Sequence, residues 1–346
     1  MKELLETLIA GHDLTEGQAA ELMRALADPT THPAQAGAVL TALRVKGEVA
    51  AEIRGFAQAM RALAIAPEVP VADEAVDIVG TGGDGSGSLN LSTGAAILTA
   101  ACVRTVIKHG NRSVSSLCGS ADVLERLGYE FPSDPASVRE DVAKHGFAFL
   151  FAPAFHPAMK AIAPVRRSLG VRTVFNLLGP LTNPAAPGYA IIGAPSPEIA
   201  RLLAEAVSDM PIRRAFVVHG ADGWDEATPV GPFLRFDVRG GRVAEETVDA
   251  TQFGLERCSA SDLVGGTVDI NAERLARALG GEPGPVLDTL ALGAGLALEV
   301  AGHVDDLRTG IEMARQVATD GLATALLTGL RGEIGAAAPQ LRVRHA

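Results

Sequence analysis

One segment constrains this chain more than any other: DIVGTGGDGSGSLNLST, Asp77 to Thr93, set between a short apolar run and an apolar helix. Val76, Ile78 and Val79 read as a buried strand, and GAAILTAACV, beginning at Gly94, reads as the helix. Five glycines fall within the eight residues Gly80 to Gly87, and Ser86, Ser88, Asn90, Ser92 and Thr93 crowd the approach to the helix. A strand passing through such a loop into a helix is the opening unit of an α/β fold. Glycines let backbone N–H groups turn towards one point, and a helix N-terminus adds partial positive charge. The segment is therefore a seat for phosphate and implies a phosphorylated small molecule as ligand. A merely structural glycine turn would not need so many hydroxyls behind it.

Two nucleotide motifs overlap this loop without fitting it. Gly80, Gly82 and Gly85 satisfy G-x-G-x-x-G, but the loop runs on past Gly85, and the next strand ends in Lys108 where a dinucleotide site needs an acid for the ribose. Gly82 to Gly87 has Walker A spacing, yet Ser88 and Leu89 stand where Lys and Ser/Thr are required.

The first 68 residues read as helical, with capping-box spacing from Thr15 to Gln18 ahead of an apolar-faced helix. Ile53, Phe56, Met60 and Leu63 recur at helical spacing before Pro67 and Pro70; such a stripe serves either as core or as a dimer face. From residue 75 the pattern changes to short apolar runs at 75–79, 104–108, 147–152, 189–194 and 214–219, alternating with helices. That alternation predicts a mostly parallel sheet flanked by helices. Residues 233–249 alternate around a Gly-Gly turn and predict a hairpin, and the remainder reads as helical. At 346 residues the chain suits one large domain with a smaller satellite.

A net charge of −11 argues against nucleic acid and anionic membranes as partners, so any anion site must be a local pocket. Three cysteines, Cys102, Cys118 and Cys258, lack C-x-x-C spacing, which argues against a disulfide framework or a zinc site. The acidic, amphipathic start lacks a signal peptide's core, and no apolar run is long enough to span a bilayer. A cytoplasmic location is the expectation.

In open α/β sheets ligands gather at the carboxyl ends of the strands, where this chain places its reactive residues. The second strand delivers KHGNRSVSS, Lys108 to Ser116, a density of cation, imidazole, amide and hydroxyl that suits an anion-binding loop. The fifth delivers HGADGWDE, with Asp225 and Glu226 adjacent; beside a phosphate cradle, paired hard oxygen ligands suit magnesium. Residues 154–184 bring Arg166, Arg167 and Arg172 close together. A guanidinium fork suits a carboxylate, and the sequence does not choose which of the three turns inward.

GTGGDG…NLST, KHGNRSVSS-x-x-GSADVLE, FHPAM…RR-x-LG-x-RT-x-FN-x-LGPL-x-NP and HG-x-DG-x-DE occur in this order. With this spacing, across nearly the whole chain, they resemble the anthranilate phosphoribosyltransferase family. The resemblance implies a small all-helical domain (1–70, with a further helical segment from within about 160–188) joined to a large α/β domain (71–346) with a central, mostly parallel sheet. It implies a homodimer through the helical parts, and Mg²⁺-dependent transfer of phosphoribose from 5-phosphoribosyl-1-diphosphate to the amine of anthranilate. Matched to the phosphoribosyl-diphosphate contacts are Gly80, Gly83, Asp84, Ser88, Asn90, Leu91, Ser92 and Thr93, then Lys108, His109, Gly110, Asn111, Arg112, Ser113, Val114, Ser115 and Ser116, with Ser120 beyond. Ser92, Asp225 and Glu226 match the metal ligands. Gly80, Asn111 and Arg166 match anthranilate contacts, with His109 and His156 near the aromatic ring. No single general base is expected, because an aryl amine is already neutral at pH 7.

The chain departs from the family pattern at Ser88, Leu89, Leu117, Cys118 and Trp224. Leu117 matters most, since it removes a possible diphosphate contact from the loop after the serine pair. A pyrimidine nucleoside phosphorylase shares the fold, but would carry a different phosphate loop and lack the Asp225–Glu226 pair. A non-catalytic nucleic-acid-binding relative would lose one of these motifs and gain a basic face, and this acidic chain keeps both.

Overall fold

A computed structural model of the chain describes residues 1–102, 104–113 and 117–331. Four helices come first: α1 (Lys2–Ile9), α2 (Glu16–Ala27), α3 (Pro33–Lys46) and α4 (Ala50–Ala62). The Thr15 capping box forms, with Gln18 Oε1 accepting the Thr15 N–H at 2.9 Å and the Thr15 hydroxyl accepting the Gln18 N–H at 3.3 Å. Of the stripe along α4, Ile53, Phe56 and Met60 are buried and Leu63, just past its end, is partly exposed, so the stripe serves as core within this chain.

The α/β part begins with β1 (Val76–Gly80), α5 (Leu91–Ala101), β2 (Val106–Gly110), α6 (Ser120–Arg126), α7 (Pro135–His145) and β3 (Phe147–Phe151). Three helices follow: α8 (Ala152–Phe155), α9 (Met159–Leu169) and α10 (Phe175–Leu178). The chain then forms β4 (Tyr189–Gly193), α11 (Pro197–Ser208), β5 (Arg214–His219) and the hairpin β6 (Phe233–Arg239) and β7 (Arg242–Val248). It ends in α12 (Val268–Leu279), α13 (Pro285–Val300), α14 (Leu307–Thr319) and α15 (Leu322–Gly329). All the strands join one sheet, ordered β3-β2-β1-β4-β5-β6-β7, parallel from β3 to β5 and antiparallel at the hairpin. Strand order reverses direction between β1 and β4, and the carboxyl ends of those two strands form the crevice where such sheets bind ligands.

Alternation along each strand divides the core. Phe147, Phe149, Ile191, Phe216 and Val218 face α5 and α12–α15 on one side. Ala190, Ile192, Ala215 and Val217 face the other side, where they share a continuous core with α11 and with α1–α4. Near the β3 edge, Ile107, Ala148 and Leu150 pack with Val138 and Val142 of α7. The helical start is thus bound to the sheet through its own core, and α9 packs against α2 and α3. The outer strand β7 is mostly exposed and carries Arg242, Glu245 and Glu246, charges that discourage edge pairing.

One local difference bears on function. The helix expected from Gly94 starts three residues earlier, because the Asn90 carbonyl already accepts the Thr93 and Gly94 N–H groups at 3.1 Å each. Ser92 and Thr93 therefore lie in the first turn, where helix N–H groups have no intrahelical partner.

Close approach of α2 and α4 depends on Gly55, where an added Cβ would fall 2.2 Å from the Glu16 carbonyl oxygen and 2.8 Å from Ala19 Cβ. Gly55→Ala gains about 1 kcal/mol of helix propensity, but collides with rigid backbone. We expect a net loss of about 1–3 kcal/mol in denaturant unfolding, and an unchanged or raised midpoint would contradict this packing.

Candidate active site

At the reversal point, Gly80 of β1 pairs with Gly193 of β4. A Cβ on Gly193 would lie 1.7 Å from the Asp225 carbonyl oxygen, and one on Gly80 would lie 2.3 Å from Asp225 Oδ2. Two side-by-side strand ends without side chains thus leave the gap that Asp225 occupies. Its loop follows β5 and is anchored by Trp224, which is buried in the main core and whose carbonyl accepts the Gly220 N–H at 2.8 Å. The departure at Trp224 is therefore a matter of packing beneath the loop.

The carboxylates are held by backbone amides. The Gly82 N–H donates to Asp225 Oδ2 at 2.6 Å, and the Ser92 N–H in the first turn of α5 donates to Glu226 Oε1 at 3.2 Å. The Asp225 N–H in turn donates to Asp84 Oδ2 at 3.3 Å. Burial, reinforced by Asp84, pushes Asp225 up to about 7, and burial with Asp225 beside it pushes Glu226 up to about 8. Opposite them Lys108 is fully buried, donating to the Ile78 carbonyl and, at 3.4 Å, to the Ser92 hydroxyl; burial lowers its pKa although Asp77, Glu226 and Asp225 oppose this.

This donor set fits magnesium. Among the described residues no three His, Cys, Asp or Glu side chains converge to cage an ion. Magnesium is usually held by one or two carboxylates together with substrate phosphates and water, and two crowded carboxyls with raised pKa are short of positive charge. Asp225 and Glu226, with the Ser92 hydroxyl near Glu226's amide partner, would hold it.

Around this centre, Asp84 Oδ1 accepts the Ser86 N–H at 3.1 Å, and Ser88 forms an isolated bridge with Val264. The Asn90 side chain is committed to scaffolding: Nδ2 donates to the Cys118 carbonyl at 3.1 Å and Oδ1 accepts from Asn271 at 3.0 Å. Leu91 and Thr93 are buried, so they face the core and leave Ser92 towards the carboxylates. In the second loop the Arg112 guanidinium turns to α6, bonded to Asp122 at 2.9 Å and Glu125 at 2.7 Å. Asn111 Oδ1 accepts the Arg112 N–H at 2.7 Å, Ser113 N–H donates to Asp122 at 3.2 Å, and the Ser120 hydroxyl donates to the Asn111 carbonyl at 3.1 Å. A Cβ on Gly110 would meet the Ser120 hydroxyl at 2.6 Å. Val114, Ser115 and Ser116 lie outside the described residues. Next to them Leu117 is 79% exposed, while Cys118 is buried.

A second wall carries the imidazoles and arginines. His109 and His156 are buried with ring centroids 5.1 Å apart, and His109 Nδ1 meets the Gly179 carbonyl at 3.1 Å. That contact makes Nδ1 the protonated nitrogen and leaves Nε2 as an acceptor; among the described residues neither ring's Nε2 has a partner. Burial, with His156 adding to it, drops His109 to about 3, and burial drops His156 to about 4, so both are neutral. Of the three arginines, Arg166 lies over the Phe175 ring at 5.0 Å and Arg167 is exposed. Arg172 reaches the glycine loop, donating to the Gly82 and Gly83 carbonyls at 2.8 and 3.1 Å.

Sequence reasoning passed over a buried knot behind His109. Asp77 accepts the His109 N–H at 3.2 Å and the Asn183 Nδ2 at 2.9 Å, and Asn183 also donates to the Ile107 carbonyl at 2.8 Å. Burial raises Asp77 to about 6. Its signal in the sequence is a lone carboxylate inside an apolar strand.

Comparison with known proteins identifies the family of the chain. The family model described as glycosyl transferase family, a/b domain matches residues 72–324, and the helical bundle domain model of that family matches residues 2–64. The chain is 43% identical over 334 residues to an anthranilate phosphoribosyltransferase from Dehalococcoides mccartyi, covering 95% of this chain and 97% of the relative. It is similar to the crystal structure of anthranilate phosphoribosyltransferase from Thermus thermophilus, with a TM-score of 0.88 and 42% identity over 95% of this chain and 99% of that one. The Saccharomyces cerevisiae enzyme in complex with PRPP and Mg aligns with a TM-score of 0.81 and 27% identity, covering 90% of each chain. The same yeast protein in complex with 4-fluoroanthranilate aligns at 0.83 and 26%, over 94% of this chain and 95% of that one.

The raised carboxyls and lowered imidazoles set opposing pH dependences. Asp225 and Glu226 keep protons in the folded chain that the unfolded chain releases near 3.8 and 4.5, so their contribution is lost as pH rises through about 7 and 8. His109 and His156 stay neutral while the unfolded chain protonates near 6.5, so their contribution is lost as pH falls through about 4 and 3. Of these four groups only the carboxyls change charge above about pH 6.5. Lys108, whose lowered pKa acts in the opposite direction, is common to the wild type and to a protein lacking the pair, and relative to the latter we expect the unfolding midpoint to fall from pH 6.5 to 8. Magnesium should raise it more at the higher pH, and an Asp225→Asn/Glu226→Gln protein should lack the decline. A decline of equal size in that double variant would refute the assignment.

Proposed function

The chain belongs to the anthranilate phosphoribosyltransferase family and is a transferase of phosphoribose to anthranilate in tryptophan biosynthesis; from that premise, we propose that its donor is 5-phosphoribosyl-1-diphosphate and that the transfer depends on magnesium. The observation carrying this reading is the Asp225–Glu226 pair laid across the glycine gap beside the first turn of α5. The yeast structures in complex with PRPP and Mg and with 4-fluoroanthranilate support it by analogy.

In this reading the glycine loop from Gly80 through Gly83 and Asp84 to Ser88, with the turn Asn90 to Thr93, seats the donor's phosphates. Residues Lys108 to Ser116 and Ser120 supply the remaining donor contacts. Asp225, Glu226 and Ser92 would hold magnesium, which when bound would supply positive charge for the departing diphosphate. Backbone N–H groups at the α5 N-terminus add fixed dipoles aimed where that charge develops. Arg166 takes the anthranilate carboxylate, with Gly80 and Asn111 alongside, which places the amine beneath the ribose C1. His109 and His156 present neutral rings to the aromatic acceptor, and the Nε2 lone pair of His109 can serve as a weak acceptor for an amine N–H.

We also propose that 1–70 and 71–346 act as the small and large domains, and that two copies join through the helical part in the cytoplasm. Ile9 at the end of α1 and Val45 on α3, 66% and 81% exposed, supply apolar surface there. Among the described residues no helix is long and apolar enough to cross a membrane.

Mixing the protein with anthranilate, donor and magnesium should quench anthranilate fluorescence, and EDTA should block the loss. Phosphorolysis of thymidine or uridine in place of this transfer would overturn the reading. Arg166→Ala should raise KM for anthranilate about 10–100-fold, the worth of one charged hydrogen-bonding partner, with little change for the donor. Leu117→Lys should lower donor KM, because it restores a cation at an exposed position of the diphosphate loop; an unchanged value would remove Leu117 from the account.

A further inference from the structure

Arg172 has no place in the transfer as just described, yet its guanidinium makes a specific two-pronged contact. It stands beyond Gly170, which ends α9 in the left-handed conformation, and before α10. Nη2 donates to the Gly82 carbonyl at 2.8 Å and Nη1 to the Gly83 carbonyl at 3.1 Å. These are consecutive residues with positive φ, 71° and 75°. The Gly82 carbonyl has one other contact among the described residues, a long 3.4 Å approach from the Thr81 hydroxyl.

Planarity of the peptide gives this grip a consequence. In a trans peptide the C=O and the following N–H point in opposite directions. With the Gly82 and Gly83 carbonyls both drawn to Arg172, the Gly83 and Asp84 N–H groups turn away from it. The preceding N–H, that of Gly82, is fixed on Asp225 Oδ2 at 2.6 Å. Consecutive amides turned to a common side form an anion-binding concavity.

We propose that Arg172 is a positioning residue that shapes the glycine loop into a receptor for the diphosphate end of the donor, acting through the loop's carbonyls and not through substrate. A rigid fork reaches two carbonyls at once where an ammonium does not. Gly83 fits the same account: a Cβ there would lie 2.8 Å from Arg172 Cζ and Nη2, so a side chain at 83 would dislodge the guanidinium. Arg172→Ala and Gly83→Ala are two lesions of one interaction, and their effects should not add.

The proposal rests on the diphosphate-donor reading above, so its test includes a measurement that needs no turnover. Magnesium-supplemented inorganic pyrophosphate is titrated calorimetrically into the wild-type, Arg172→Ala, Arg172→Lys, Gly83→Ala and double-variant proteins, and KM is measured for both substrates. Arg172→Ala should weaken pyrophosphate binding and raise donor KM about tenfold or more, while anthranilate KM moves less than about twofold, within the scatter of remote effects. Arg172→Lys should fail to restore either value, guanidinium ion added to Arg172→Ala should restore part of both, and the double variant should match the worse single one. If Arg172→Ala is unstable, Arg172→Gln, which keeps most of the stem but loses the fork, carries the same comparison. Unchanged pyrophosphate binding and donor KM in an active protein would overturn the proposal, as would full rescue by lysine or additive effects of the two lesions. Absence of turnover in the wild-type protein would instead overturn the transferase reading, and the pyrophosphate comparison would still decide the role of Arg172.

Discussion

Much of this molecule depends on the absence of side chains where two parallel strands end together. Gly80 and Gly193 are register partners, and either Cβ would overlap Asp225. The gap lets a loop from β5 fold back over the ends of β1 and β4 and bring its carboxylates to the N-terminus of α5. Everything chemical follows from that placement. Gly82 N–H meets Asp225, Ser92 N–H meets Glu226, and Lys108 lies beneath. A reversal in strand order opens a crevice in any such sheet; here the paired glycines allow a carboxylate loop to occupy it.

The electrostatics of the site run against simple expectation for the polyanionic donor proposed above. The chain carries a net charge of −11, and the cations near the loops are already engaged: Lys108 with a carbonyl and a hydroxyl, Arg112 with two carboxylates, Arg172 with two carbonyls. In the proposed reading, positive potential for the donor would come largely from oriented backbone amides and from a cation on the Asp225–Glu226 pair. The raised carboxyl values express the same point, since burial and mutual repulsion leave that pair short of countercharge. On another wall, burial keeps the two imidazoles neutral, which suits a flat, uncharged ring.

Local features were legible because their causes are local. The Thr15 capping box, the five apolar strands and the hairpin around Gly240 and Gly241 follow from spacing and turn chemistry, and they appear within a residue or two of where periodicity places them. The start of α5 was misplaced by three residues because a small polar stretch reads as loop until the Asn90 carbonyl is seen to close the first turn. The stripe on α4 needed α2, α10 and α11 beside it before core could be told from interface. Asn90 and Arg112 carry residue types that suggest ligand contacts, yet in the folded chain their side chains bond to Asn271, Asp122 and Glu125.

By itself the sequence determined the class of fold, the order of the chemical motifs and, through their joint spacing, the family. Those are properties of short segments and of their order, which periodicity and residue type encode directly. Only the tertiary structure decided that Gly193 makes room for Asp225, that Asp77 and Asn183 lock the strand beneath His109, and that Arg172 is the arginine that grips the glycine loop while Arg166 rests on Phe175. Each of these joins residues far apart in the chain through a contact a few ångströms long. Hydrogen-bond direction and steric fit at that scale depend on how strands and helices come to rest against one another, and no local pattern records it.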